Sequence, residues 1–262
     1  MSVGSTVKGN PGSHVKGVAP SSSSGFGVYP DPNLAVMVDD DFLVTTIVTG
    51  VAAPWTIGTS GAGAAVVMGG ELDIPGICSL QTGTTATGRE SIQTNVVGMT
   101  FGGISTLSFL TRLRFPTLST VAETFTTRFG FSDNNAGAAT DGAYFELESN
   151  GNPNYQCVTA NAGVRTTVDS GVAAVAGQWD NLSISGTAAK GIKFRINGVV
   201  VATIASNIPN ATARAFGCMY TIIKSVGTNV RQVDVDYAQV LATWAASSPR
   251  GSGNQFIGGV LS

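Results

Sequence analysis

The sequence predicts an all-β protein folded as an antiparallel β-sandwich of the jelly-roll type. Segments rich in β-branched and aromatic residues recur about every 8–15 residues, with glycine, asparagine, aspartate or proline between them. Several of these segments alternate apolar and polar residues, as a sheet with one buried face requires. No segment longer than one or two turns has the apolar spacing of a helix. The length of 262 residues is ordinary for one sandwich domain.

The first strand is predicted at 41–48, where β-branched residues are dense. The segment 104–115 alternates most clearly. One of its faces carries Leu107, Phe109, Thr111, Leu113 and Phe115, and the other carries Thr106, Ser108, Leu110, Arg112 and Arg114. Further strands are predicted at 123–132, 142–149, 155–160, 164–171, 179–185, 193–204, 215–224 and 231–244.

The last of these strands is expected to alternate without interruption. Such a pattern gives it one apolar face and one polar face. Val233, Val235, Tyr237 and Gln239 then oppose Gln232, Asp234, Asp236, Ala238 and Val240.

The segment 193–204 reads as a hairpin that turns on Asn197 and Gly198. This dipeptide favours the positive φ angles of a two-residue type I′ turn. The cationic side chains of the hairpin are expected to meet acids on a polar face. The residues expected to face the core or a partner are Phe194, Ile196, Val199 and Val201.

Composition divides the chain into three parts. Residues 1–30 are rich in glycine, serine and proline and are predicted to form an extended arm, residues 31–246 the sandwich domain, and residues 247–262 a short tail. An arm of this kind orders when it docks on a neighbouring subunit, or stays disordered. Its candidate anchors are Val3, Val7, Val15, Val18, Phe26 and Tyr29.

Charge is scarce along the whole chain. Charged residues make up 11 % of the sequence, against a typical value of about 25 %. A weakly charged surface favours association with other subunits. The net charge of −2 argues against a nucleic-acid partner. No apolar run is long enough for a membrane helix, and the first 25 residues do not resemble a signal peptide.

The residues that most enzymes and metalloproteins need are largely missing. His14 is the only histidine and lies in the predicted arm, so a Ser-His-Asp triad is not expected. Cys78, Cys157 and Cys218 lie far apart and are expected to be buried, reduced thiols. We therefore expect no cofactor and no metal.

The ordered series "GQWDNLSISGTAAKGIKFRINGVVVATI" followed by "VDVDYAQV" resembles a known family. A tryptophan opens a strand, a hairpin turns on Asn-Gly, and a late strand follows. This resembles the concanavalin-like jelly rolls of the laminin-G and legume-lectin group, and more narrowly those of tailed-phage virions. The resemblance covers roughly residues 39–244. It implies the fold but spans enzymes, sugar binders and inert coat proteins.

Two pairs of acids are the candidate chemical groups. Glu146 and Glu148 lie two apart on one strand, so they share a face. The resemblance to jelly-roll glucanases implies an "ExDxxE" strand, of which the third acid is missing here. A polar sheet face, a contact with a glycan or a neighbouring subunit, and a glycosidase pair remain as alternatives.

Asp234 and Asp236 repeat this spacing and are expected to line one concave face with the glutamates. Neighbouring arginines are expected to neutralise them, with a calcium site or full exposure as alternatives. The three aspartates at 39–41 are expected to cap or blunt a strand.

Two tryptophans have opposite expected roles. Trp55 lies in a predicted loop and is the candidate to stack on a sugar ring, whereas Trp179 is expected to pack in the core.

Together these features predict a structural protein without enzymatic activity in the virion of a tailed phage. The most favoured role is capsid decoration, cement or head-fibre protein, made in the host cytoplasm and docked on other virion proteins through its terminal arms. A homotrimer is expected on geometric grounds. The alternatives are a tail component, a glycan-binding module that contacts a host surface, and, with least support, a glycoside hydrolase.

Overall fold

The computed structural model describes residues 35–43, 55–94, 98–102, 106–148, 150–211 and 213–243. The arm at 1–30, its six anchors and the tail at 247–262 lie outside these residues. The described residues form β-strands and connecting loops without an α-helix. The strands are β1 (Ala35–Asp40), β2 (Trp55–Ile57), β3 (Ala64–Glu71), β4 (Ile74–Thr82), β5 (Arg89–Thr94), β6 (Thr106–Arg114), β7 (Phe125–Ser132), β8 (Gly142–Glu148), β9 (Asn152–Asn161), β10 (Val164–Ala173), β11 (Trp179–Thr187), β12 (Gly191–Ile196), β13 (Val199–Ile204), β14 (Gly217–Lys224) and β15 (Gln232–Thr243).

The strands form two antiparallel sheets that pack face to face, which confirms the predicted sandwich. Sheet 1 has the order β13-β12-β11-β6-β15-β4-β3, and β1 pairs with β15 beyond the end of β4. Sheet 2 has the order β10-β9-β8-β7-β14-β5-β2. None of the described residues forms a helix with the length and apolar character needed to cross a membrane.

The core lies between the sheets and is rich in aromatic rings. The inward face of β6 is the predicted one, with Leu107, Phe109 and Leu113 fully buried. Phe129 and Phe145 stack with ring centres 5.8 Å apart, and Phe194 of sheet 1 meets Phe145 edge-on. The three cysteines are buried and unpaired, as predicted. Burial raises the pKa of the Cys157 thiol to about 12.

The predicted alternation of β15 is wrong after Val235. The pairing of β15 with β6 shifts register between Val235 and Tyr237, so one extra residue is inserted there. A bulge of this kind moves all later side chains to the other face. The inward residues of β15 are therefore Val233, Val235, Ala238, Val240 and Ala242, while Tyr237 and Gln239 point outward.

The first strand also differs from its prediction. β1 ends at Asp40, and residues 41–43 are outside any strand, whereas residues 44–48 are not described. Phe42 turns the chain with a φ of 52° and buries its ring. The backbone of β4 passes so close that a Cβ on Gly76 would lie 1.9 Å from the Asp41 carbonyl oxygen. The chain thus leaves the sheet at residues 41–43, where the predicted strand begins, and the rest of that prediction lies outside the described residues.

The Asn197-Gly198 turn is confirmed, with φ angles of 49° and 83°. The Asn197 amide donates to the Asn181 carbonyl at 2.7 Å, and its side-chain oxygen accepts from the Asn181 amide at 2.8 Å. Its side-chain nitrogen also donates to the buried carboxylate of Asp180. The asparagine therefore anchors the turn to β11. Phe194 and Ile196 are buried as predicted, but Val199 is 66 % exposed at the sheet edge.

We expect Gly198→Ala to lower the free energy of unfolding by about 1–2 kcal/mol, because a Cβ disfavours the left-handed backbone conformation. No atom lies within 4 Å of that Cβ, so the loss is conformational. The control is Gly137→Ala, which has ordinary backbone angles and only van der Waals contacts. Urea denaturation of both variants tests this, and equal stabilities would contradict the role of the turn.

Candidate functional site

The four candidate acids do not share a face. Glu146 and Glu148 lie on the outer surface of sheet 2, and Asp234 and Asp236 lie on the outer surface of sheet 1. The sandwich core separates the two pairs. The expectation that they line one concave face is therefore wrong, because the pairing order places β8 and β15 in different sheets.

Glu146 and Glu148 have separate structural contacts. Arg128 donates from Nε to Glu146, which confirms the expected pairing of this acid with an arginine. Glu148 Oε1 accepts from the amides of Asn150 and Gly151 at 3.1 and 3.2 Å and so closes the β8–β9 turn. A register shift between the two glutamates further separates their environments.

Trp55 lies in the core and not in an exposed loop. Its ring is 1 % exposed and packs between Phe42 and Tyr220. Its Nε1 donates to Asp40 Oδ2 at 2.7 Å. The pairing of β2 with β5 directs this side chain inward. The prediction that Trp55 stacks on a sugar is incompatible with this burial.

Trp179 takes an outward position where a core position was predicted. Its ring lies beneath two arginines, with the guanidinium carbons of Arg112 and Arg114 at 5.0 and 4.6 Å from the ring centre. Arg112 pairs with Asp236 and Arg114 with Asp234, each at 2.9 Å. We call these five residues the Arg–Trp cluster. Two of the predicted ion pairs of the polar face are confirmed by it.

The sequence does contain a signal for this placement. Leu182 and Ile184 are buried on β11, and residues of the other parity point outward. Trp179 belongs to that outward set. The arginines of β6 were correctly placed on the polar face of that strand, whereas Trp179 was assigned to the wrong side of β11.

Asp234 holds the cluster rigid. Its carboxylate is 1 % exposed and accepts from Ser79 Oγ at 2.6 Å and from Gln232 Nε2, as well as from Arg114. Arg114 reaches further to Glu71, at the tip of the β3–β4 hairpin. This hydrogen bond lowers the pKa of Glu71. The contact brings the hairpin tip to the edge of the outer face of sheet 1.

A shallow depression of about 250 Å³ adjoins the cluster on the same face. We call it the β6 depression. From Ser108 to Arg114, β6 spans about 20 Å, so depression and cluster form one continuous strip. At the side of the depression, Arg195 donates to Ser185 Oγ at 2.9 Å. No acid among the described residues forms the ion pair that was expected for Arg195. The outward side chains that line the depression are Ser108, Leu110, Ser183, Ser185, Gln239 and Leu241.

The carboxylates of Asp39 and Asp41 lie near Asp236, at the edge of this strip. Burial raises the pKa of Asp41, and the nearby charges of Asp39 and Asp236 raise it further.

The described residues contain no group of three or more His, Cys, Asp or Glu side chains placed to hold a metal ion.

The comparisons with known proteins agree with this fold. A family model described as SO2946-like, C-terminal domain, matches residues 73–236. No curated protein matches. The solved structure of a protein of unknown function, SO2946 from Shewanella oneidensis MR-1, is 15 % identical with a TM-score of 0.63, and the match covers 82 % of this chain and 89 % of that one.

Two further solved structures have names that refer to glucans. The endo-1,3-β-glucanase of Streptomyces sioyaensis is 14 % identical with a TM-score of 0.54, over 84 % of this chain and all of that one. A Mycobacterium tuberculosis protein described as an immunostimulatory antigen and pseudo β-1,3-glucanase is 12 % identical with a TM-score of 0.53, over 79 % and 98 %. At these identities the likeness supports the jelly-roll fold alone.

We expect Asp234→Asn to destabilise the protein by about 2 kcal/mol, because it removes a charged acceptor from a buried network. Asp236→Asn is the matched control, since its ion pair is partly exposed, and we expect a loss below about 1 kcal/mol. Chemical denaturation of the two variants measures the difference. A larger loss in Asp236→Asn would contradict the anchoring role of Asp234.

Proposed function

This chain belongs to the SO2946-like C-terminal domain family, and we propose that it is a carbohydrate-binding domain. The ligand lies along the outer face of sheet 1, across the β6 depression and the Arg–Trp cluster. The proposal concerns a non-catalytic domain. The family description names no activity, so the argument rests on the site.

The observation that carries the proposal is a difference between the two outer faces. On sheet 2 the polar side chains engage one another. Asp169 accepts from Asn152, the Gly171 amide and Asn154, which together lower its pKa to about 2. Arg128 and Glu146 form a pair beside them.

On sheet 1 the depression carries hydrogen-bonding groups that are not used in this way. The side chains of Ser108, Ser183 and Gln239 make no hydrogen bond within the described part of the chain, and all three are only partly exposed. A hydroxyl and an amide each donate and accept. Such groups fit the hydroxyls of a sugar, each of which also donates and accepts.

The adjoining cluster supplies a rigid end to the strip. Because Ser79, Gln232 and Arg114 hold Asp234 in place, little side-chain entropy remains to be lost on binding. Trp179 adds an aromatic ring with a polar edge, a type of side chain that suits a ligand with both apolar and hydroxylated surface. The likeness in fold to proteins named as glucanases adds support only by analogy.

The proposed absence of catalysis rests on how the acids are engaged. A glycosidase needs one carboxyl that donates a proton and a second that attacks or activates water. Here Asp234 and Asp236 each bind an arginine, and Glu148 closes a turn on the opposite side of the sandwich. Each of these three acids is therefore already bound by an arginine or by backbone amides.

We also retain the virion role as a second proposal, with the domain displayed on a phage particle after synthesis in the host cytoplasm. Its support is the low charge of the chain and the glycine-, serine- and proline-rich segment 1–30. A glycan-binding domain on a particle would serve adhesion, so the two proposals are compatible.

We expect the purified protein to bind a subset of glycans on an array, and Trp179→Ala and Gln239→Ala to weaken that binding at least about tenfold, equivalent to about 1.4 kcal/mol. Gln156→Ala on the outer face of sheet 2 is the control and is expected to bind normally. Circular dichroism confirms folding of each variant. No binding by the unmutated protein, or loss of binding only in Gln156→Ala, would overturn the site.

The same protein is expected to release no reducing ends from a β-1,3-glucan. Release that disappears in Glu148→Gln would contradict the non-catalytic proposal and support a hydrolase.

For the virion role, we expect deletion of residues 1–30 to abolish attachment to particles that lack the protein, because the arm supplies the apolar anchors. Co-sedimentation with such particles measures attachment. Attachment that survives the deletion would contradict the role of the arm.

A further inference from the structure

Each sheet of the sandwich has two edges, and an unpaired strand edge is a template for another strand unless it is protected. The strands at the ends of the two sheets are β13 and β3 in sheet 1 and β10 and β2 in sheet 2, and β1, which pairs with β15 alone among the described strands, adds a further free edge. All of these except β3 carry protective features, and in β1 they are the charged residues Asp39 and Asp40. β2 has three residues, and β10 carries Arg165 and Asp169 and shifts register after Asp169. β13 contains a bulge, because its pairing with β12 skips Val201.

β3 lacks these features over most of its length. It pairs with β4 in regular register from Ala64 to Gly69, and its first register shift comes after Gly69. No charged residue occurs between Ala64 and Gly70 or along β4. Val67, on the outer face of the strand, is 42 % exposed. Within the described residues, β3 pairs with β4 alone.

We propose that β3 is a homodimer interface, in which it pairs antiparallel with β3 of a second copy across a two-fold axis near Val66 and Val67. An antiparallel strand meets its own copy through such an axis, and the contact is then self-complementary. Because residues 64–70 carry no charge, no like charges are opposed around the axis. Glu71, the last residue of β3, is bound to Arg114 and turned toward the outer face of its own sheet.

The side chains suit a close approach of two copies. With the axis at Val66, Ala65 meets Val67 of the second copy and Ala64 meets its Met68, so small side chains face larger ones. Val66 and Met68 already pack against the core, and a second strand extends that core across the interface. The pairing also covers Val67.

One consequence rests on the proposed function. A two-fold axis perpendicular to sheet 1 keeps the outer faces of both copies on the same side of one continuous sheet. Two carbohydrate sites would then face the same surface, and their binding would reinforce each other. The dimer itself does not depend on that function.

The test is the mass of the full chain in solution, by sedimentation velocity over a concentration series. We expect twice the chain mass of 26.6 kDa for the unmutated protein, and the monomer mass for Val67→Lys. Val164→Lys is the matched control, because Val164 is 59 % exposed on the β10 edge, and it is expected to remain a dimer. Circular dichroism and thermal melting verify that each variant folds.

A second variant covers the case in which Val67→Lys fails to fold. Val67→Cys is expected to cross-link to its own copy with a short bismaleimide, whereas Val164→Cys is not, and the three native cysteines are buried. A monomeric unmutated protein, a trimer as expected from the sequence, or a dimer broken by Val164→Lys and not by Val67→Lys would overturn the proposal. The glycan array reads the proposed function separately, since a monomeric Val67→Lys that still binds glycans separates the two.

Discussion

The bulge in β15 at Asp236 is the constraint on which the outer face of sheet 1, the proposed binding face, depends. β15 pairs with β6 along one side, but along the other side it pairs first with β4, up to Val235, and then with β1, from Ala238. The bulge lies where β1 replaces β4 as the neighbouring strand of β15. It places Asp236 and Tyr237 together on the outer face beside Arg112, where a regular strand would have turned Tyr237 inward. The Arg–Trp cluster therefore follows from a change of strand partner.

The chain has few charged residues, and several of its arginines are held in place by ion pairs. Arg112 and Arg114 bind Asp236 and Asp234, and Arg128 binds Glu146. At one end of the sandwich, Lys224 is 1 % exposed and donates to the carbonyl oxygens of Gly83 and Asn229. Burial lowers the pKa of Lys224, while Glu123 opposes that change. These ionic groups thus hold strand ends and outer faces together.

The sequence correctly predicted the features that depend on residues close together in the chain. The alternation of β6, the Asn197-Gly198 turn and the absence of helix come from spacing that is read within one segment. The burial of Trp55 and the separation of Glu146 from Asp236 depend on which strands pair, and pairing partners lie far apart in the chain. The bulge in β15 did leave a mark in the pattern, because a regular strand places polar Gln239 on the apolar face and Val240 on the polar face. Trp179 was predictable, since its parity relative to Leu182 and Ile184 already placed it outside.

The fold leaves open which face of the sandwich binds a ligand, and the side-chain contacts support the proposed choice of sheet 1. A polar residue that already has its hydrogen bonds must lose them to bind a ligand, so the free energy gained from a new contact is small. On sheet 2, Asn152 and Asn154 already donate to Asp169, so a ligand would have to replace those hydrogen bonds. On sheet 1, Ser183 and Gln239 need not lose a side-chain hydrogen bond within the described chain to make one with a ligand. The hydrogen bonds of this chain therefore favour the outer face of sheet 1 over that of sheet 2 for the proposed ligand.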